Sequence, residues 1–340
     1  MLESYFSLSG KDQSELLDTA AARSGRPAHI LEKDVWVVWA LSVLFASPLA
    51  SLLTFKGGTS LSKAYGAINR FSEDIDLTYD IRSLLADMVN DDEGIPPTPS
   101  QASKGTKAVR ERLPQWLSDT VVPVLCSELP EGVHEDAIQV VEPDSIVVNY
   151  APLREGTGYL SPKIRLEFGA RSTGEPFEIL PVSCDLANVI QEIQFPKAEP
   201  RVLKMERTFW EKATAIHVFC KQEKMRGDRF SRHWYDLVQL SKSPRMEHAL
   251  SDREWLSQVV RHTSMFFVEK NVSGDRIDYN DCQNGLLQLI PSGSALETLR
   301  NDYANMIQDG ILLDSEIKFD FVLEQCLELE SNINKAFGVA

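Results

Sequence analysis

Apolar residues recur at three- and four-residue spacing over Ser14–Arg23 and again over Ile30–Leu41, which predicts a helical opening that runs to about residue 53. The pattern then changes. Leu52–Lys56 is a short apolar run halted by Gly57-Gly58, Ser60–Ile68 reads as a helix, and Ile75–Tyr79 alternates in the manner of a strand. Alternation returns at Ala137–Val141, Ser145–Tyr150, Lys163–Phe168 and Phe177–Leu180, and these segments together predict a mixed sheet. Beyond Pro200 the period is helical, at Leu203–Cys220, His233–Ser241, Glu254–Glu269, Ser294–Met306 and Phe319–Lys335, with Asp314–Asp320 as the last connector. The expected division is therefore residues 1–200, helices plus a mixed sheet, and residues 201–340, a helical domain. Within the first part, Asp91–Thr106 is polar and proline-rich and reads as a mobile surface loop; a helix over Lys107–Thr120, interrupted near Pro114, should follow it.

Composition narrows the classes. No charged residue falls between Val35 and Phe55, but Pro48 breaks the run. The helix from Lys33 to Ser47 would then span roughly 22 Å against a hydrocarbon core of roughly 30 Å, so it reads as buried rather than membrane-spanning. The opening residues show no basic region followed by an apolar run and a cleavage site, so no secretory signal is expected. The five cysteines are scattered singly, which disfavours disulfides and zinc and suits a reducing cytoplasm. A net charge of −15 excludes a general nucleic-acid coat and leaves only local basic surface for such contact. One such place exists: Lys221, Lys224, Arg226, Arg229, Arg232 and His233 crowd a single loop of an acidic chain and tilt the reading toward phosphate contact.

The densest chemistry lies in Gly57–Tyr65, GGTSLSKAY, and Arg70–Leu77, RFSEDIDL. Paired glycines at a strand end let the backbone approach phosphate oxygens, and Thr59 and Ser60 add hydroxyls at a helix start, where amide hydrogens favour anions. Gly57, Gly58, Thr59 and Ser60 thus read as a phosphate cradle, with Lys63 and Lys56 flanking it. Asp74 and Asp76, two apart on a strand, point to one face and suit a divalent ion. Phosphate cradle and metal clamp together are far more specific than either alone.

This pair of segments resembles the signature of the DNA polymerase β nucleotidyltransferase superfamily, and its wording is similar to the AbiEii/AbiGii toxin nucleotidyltransferases, the MenT-like type IV toxin–antitoxin family. Glu32–Val37 (EKDVWV), Lys204–Ala213 (KMERTFWEKA), Arg232–Leu237 (RHWYDL) and the acidic-aromatic stretch at Asp302–Met306 extend the resemblance in matching order. It implies an α+β fold with a polymerase β-type core, N-terminal helices and a helical C-terminal domain. It also implies a third acidic residue on a neighbouring strand, for which Glu167 is the candidate and Asp185 the competitor. Lys212 corresponds to the family's active-site lysine, and Asp236 to a second site position that orients Lys212 or accepts a proton. Arg229 and Arg232 join the triphosphate contacts.

By this resemblance the chain is expected to transfer NMP from an NTP to an RNA acceptor, with the tRNA 3′ end the first candidate, Mg²⁺ or Mn²⁺ on Asp74 and Asp76, and two-metal catalysis. It would act as a cytoplasmic toxin in abortive infection and phage defence, opposed by an AbiEi-like antitoxin encoded nearby. The alternatives are nucleotide (GTP) binding without transfer, and AMPylation of a protein.

Overall fold

The computed structural model describes residues 2–89, 92–155, 161–223, 229–314 and 316–338. The chain forms two compact units: Met1–Ala64 with Phe71–Gly94 and Gly105–Leu203, and Tyr65–Arg70 with Ile95–Lys104 and Lys204–Ala340.

The first unit carries helices α1 (Gly10–Ser24), α2 (Ala28–Ala46) and α3 (Gly57–Lys63). The Ser9 hydroxyl accepts from the Asp12 amide to start α1, and Gly25, at φ 73°, ends it in the left-handed region. The strands are β1 (Leu53–Lys56), β2 (Asp74–Tyr79), β3 (Ile138–Val141), β4 (Ser145–Asn149), β5 (Lys163–Gly169), β6 (Phe177–Ile179) and β7 (Arg201–Leu203). Their order in the sheet is β3-β4-β5-β2-β1-β7-β6. β2 runs antiparallel to β1 and parallel to β5, so the sheet is mixed, as the alternating segments predict. β2 is central because Ile75 and Leu77 are fully buried on one face. Alternation then leaves Asp74 and Asp76 on the other face, half-exposed.

Two expectations need correction. The proline-rich passage does not remain a loop to Thr106: helix α4 spans Pro99–Trp116. Proline at the first helical position lacks only a donor that would have no helical partner, and the Thr98 hydroxyl accepts from the Gln101 amide. Asp91 lies outside the described residues. Pro114 sits inside this helix rather than ending it, and a wider turn over Leu117–Val121 follows it. The helix expected at Ser60–Ile68 begins earlier and stops at Lys63.

The second unit holds α5 (Met205–Gln222), α6 (Arg232–Ser241), α7 (Arg253–Phe266), α8 (Gly293–Gln308) and α9 (Phe319–Phe337). Its core is built on Phe209, Trp210, Trp234 and Tyr235, all fully buried. The indole hydrogens of Trp210 and Trp234 donate to the carbonyls of Ala249 and Leu289, at 3.3 and 2.7 Å. The short segment Tyr65–Arg70 is stitched into this unit. The Leu313 amide donates to the Asn69 carbonyl at 3.1 Å, and the Tyr235 hydroxyl donates to Asp314 at 2.8 Å and accepts from the Asn69 amide. No helix among the described residues is long and apolar enough to cross a membrane.

Candidate active site

In the first unit, strand pairing sets Asp76 opposite Lys56 of β1 and opposite Glu167 of β5, so the three side chains share one face in a row across the sheet. Asp74 stands opposite Arg165 in the same way. The sequence-predicted pair and its third acid are therefore neighbours. Withdrawal from water and the negative charges of Asp76 and Asp74 push the Glu167 carboxyl up to about 7, although part of its side chain stays exposed. A carboxyl raised by like charges marks a place where negative potential accumulates.

Gly57 explains why the turn after β1 needs a glycine. Its φ is 74°, and a Cβ built on it would lie 1.9 Å from an Asp76 carboxylate oxygen. The bare backbone of the turn thus packs directly against the Asp76 side chain. Thr59 and Ser60 do something other than the sequence suggests. Both are buried; the Thr59 hydroxyl donates to the Asp74 carbonyl and the Ser60 hydroxyl donates to the Gly57 carbonyl at 2.9 Å. They fasten α3 to β2 and shape the turn, so their hydroxyls are not available to a phosphate. Of the four residues expected to form a phosphate cradle, Gly57 and Gly58 carry no side chain that is engaged elsewhere.

Lys63 is also committed elsewhere. Its ammonium sits 2.6 Å from Asp34 and 2.7 Å from Asp185. Burial opposes its charge, but these two carboxylates more than offset that and hold it above the ordinary lysine range. Asp185, the alternative third acid, is occupied by Lys63 and by Arg26 and is not paired with β2.

The residues present suit a divalent cation of the magnesium kind. Such an ion takes one or two carboxylates and completes its shell with water and substrate phosphate, which is what Asp74 and Asp76 on one half-exposed face offer. Among the described residues no three acidic, imidazole or thiol groups are drawn into a preformed cage.

The second unit contains a separate charged cluster. Asp236 is fully buried and accepts from Arg70 Nε on Oδ1 at 2.7 Å and from Arg70 Nη2 on Oδ2 at 2.8 Å, and the Lys212 ammonium shares Oδ2 at 2.9 Å. Burial would raise this carboxyl, yet Arg70 and Lys212 hold it far below the usual range. Of the two roles open to Asp236, orienting Lys212 fits; accepting a proton does not, because the group is a very weak base with both oxygens engaged. Glu211, beside Lys212 in sequence, pairs with Arg207 at 3.0 Å instead.

The basic loop is only partly described. Lys224 and Arg226 lie outside the described residues. Lys221 pairs with Asp281 at 3.4 Å, and Arg232 opens α6. Arg229, at φ 69°, donates its amide to Asp302 at 2.5 Å, and Ser231 gives the same carboxylate both its amide and its hydroxyl. Asp302 therefore anchors the end of the loop. His233 is not a cation here: burial and the nearby Lys212 and Arg232 charges drive it well below the ordinary histidine value.

Arg70, Asp34, Lys33, Glu73, Arg165 and Asp302 carry structural work at these sites that sequence reasoning passed over. One signal was visible for three of them. Charges that interrupt or border an otherwise apolar or motif-rich segment, as Lys33 and Asp34 do at the head of α2 and Arg70 at the head of RFSEDIDL, invite a buried partner.

A family profile described as "Nucleotidyl transferase AbiEii toxin, Type IV TA system" matches residues 39–325. Among solved structures the chain is similar to "MenT4, nucleotidyltransferase toxin Rv2826c from Mycobacterium tuberculosis H37Rv", at 15% identity and a TM-score of 0.43, over 95% of this chain and 99% of that one. No curated protein matches it in sequence.

Proposed function

Because the chain belongs to the AbiEii nucleotidyltransferase toxin family, whose profile covers most of its length, we propose that it transfers a nucleoside monophosphate from an NTP to an RNA acceptor, with the 3′ end of tRNA the first candidate. Family membership makes it a nucleotidyltransferase toxin of a type IV toxin–antitoxin pair, with an NTP as substrate and an antitoxin as partner. The acceptor and the metal are this proposal's own additions.

The supporting observation is the shared face of Asp74 and Asp76, with the Gly57 backbone pressed against Asp76. In the reaction an acceptor hydroxyl oxygen forms a bond to the α-phosphorus, the bond from that phosphorus to the pyrophosphate oxygen breaks, and the hydroxyl proton passes to solvent. Mg²⁺ or Mn²⁺ held by the two aspartates, as one ion or a pair, would neutralise triphosphate charge and sharpen the attacking oxygen. Asp74 and Asp76 orient that charge, and ionised Glu167 deepens the negative potential they create. Gly57 and Gly58 let backbone amides approach phosphate oxygens without a side chain in the way. Lys212 enters the proposal as a triphosphate counter-charge; Asp236 fixes its ammonium and keeps it from wandering. Arg229 and Arg232 enter as further phosphate contacts.

Purified protein given Mg²⁺, each labelled NTP in turn and total tRNA is expected to label the RNA, and Asp74→Asn to abolish the label. Label that survives Asp74→Asn sinks the clamp. Label on protein instead of RNA moves the acceptor to a protein hydroxyl, and tight NTP binding without any label leaves a nucleotide-binding toxin that transfers nothing.

A further inference from the structure

Glu32, Lys33 and Asp34 are three consecutive charged residues on α2, each only 2–3% exposed. Successive helical positions turn by about 100°, so three neighbours face three directions and each must find its own partner inside the fold. They do. Glu32 accepts the amides of Leu153 and Arg154 at 2.8 and 3.3 Å. The Lys33 ammonium reaches Glu73 at 2.5 Å and the Ser161 carbonyl at 3.1 Å. Asp34 pairs with Lys63 at 2.6 Å and accepts the Asp185 amide at 2.6 Å.

Two of these three grips land beside the proposed metal face. Glu73 immediately precedes Asp74, the first residue of β2. Lys63 is the last residue of α3, whose Thr59 is hydrogen-bonded to the Asp74 carbonyl. We infer that Lys33 and Asp34 are positioning residues: from one turn of α2 they clamp the start of β2 and the end of α3, and so fix Asp74 and Asp76 against the glycine turn. The inference rests on the metal-site reading of Asp74 and Asp76. A well-packed apolar turn would join α2 to the sheet equally firmly, but buried ion pairs also set where the joined segments sit, since any slip leaves a charge without a partner. Glu32 instead accepts the backbone amides of residues 153 and 154 and touches neither Glu73 nor Lys63.

Mn²⁺ binding to the full-length protein, read by electron paramagnetic resonance, tests this with a readout apart from turnover. Lys33→Met and Lys63→Met each remove a positive charge near the metal face, so charge alone would tighten Mn²⁺ binding. Displaced aspartates would weaken it instead, by roughly 10- to 100-fold on the scale of groups that orient metal ligands. That loss is the expected result, with Lys33→Arg restoring affinity and Glu32→Gln leaving it unchanged. Unaltered or tighter Mn²⁺ binding in a folded Lys33→Met protein overturns the inference, as does an equal loss in Glu32→Gln. If Lys33→Met fails to fold, Lys33→Gln decides, being expected to weaken Mn²⁺ binding while a circular dichroism spectrum of native shape is retained. Mn²⁺ affinity that does not fall in Asp74→Asn is a different failure, that of the metal-site reading itself.

Discussion

Two carboxylates of this chain, Glu167 and Asp236, lie at opposite ends of the electrostatic range. Glu167 is pushed up to about 7 by loss of water and by Asp76 and Asp74. Asp236, more deeply buried, is driven strongly the other way by Arg70 and Lys212. Burial alone would raise both; the sign of the neighbours decides. The first unit therefore holds concentrated negative charge, which favours a cation arriving from outside. The second unit holds a carboxylate whose counter-charges are built in, and its product is a fixed lysine.

On this contrast the largest effect is on transfer. Asp74→Asn and Asp76→Asn should each lower the rate of NMP transfer by roughly 10²–10³-fold or more, the scale of removing a key transition-state contact, with little change in melting temperature. Such half-exposed positions cost little stability when changed. Asp236→Ala should show the reverse balance, destabilising the protein by about 3–5 kcal/mol because two buried cations lose their partner. A urea midpoint unchanged by Asp236→Ala would show that the cluster is not the closed system described here. Next in size, Gly57→Ala should cut transfer by roughly 100-fold, as expected for an Asp76 carboxylate displaced by about 1 Å, and initial rates at saturating NTP would measure it.

The smallest effect is on pH. Glu167 is raised in the folded chain above its unfolded value, so the folded state holds more protons as pH climbs from the ordinary glutamate range to about 7. Stability of the metal-free protein should accordingly fall across that window, and Glu167→Gln should flatten the fall. Asp236 is depressed, so its stabilisation persists throughout this window and is lost only in strong acid. Melting curves from pH 5 to 8 on both variants separate the two behaviours.

Much of this was legible in the chain. The strand at 163–169 follows the alternation of Ile164, Leu166 and Phe168, because a half-buried sheet imposes that period. That Asp74 and Asp76 share a face could be read for the same reason: spacing on a strand fixes facing. Side chains whose role depends on a distant partner could not. Nothing local says that Thr59 turns back to the Asp74 carbonyl, or that Lys63 meets Asp34 and Asp185. The helix at Pro99 was hidden by composition, since prolines and serines that signal a loop serve equally well as a helix cap and first turn.

Arg70 stands four residues before Asp74 in the chain, while the carboxylate that seats it lies 166 positions later. A ribosome adding about 5–20 residues per second needs roughly 8–33 seconds to cover that distance. Throughout that interval the motif has been made but its arginine has no seat. A toxin wired in this way acquires its finished form late in its own translation, only once the second unit has been made.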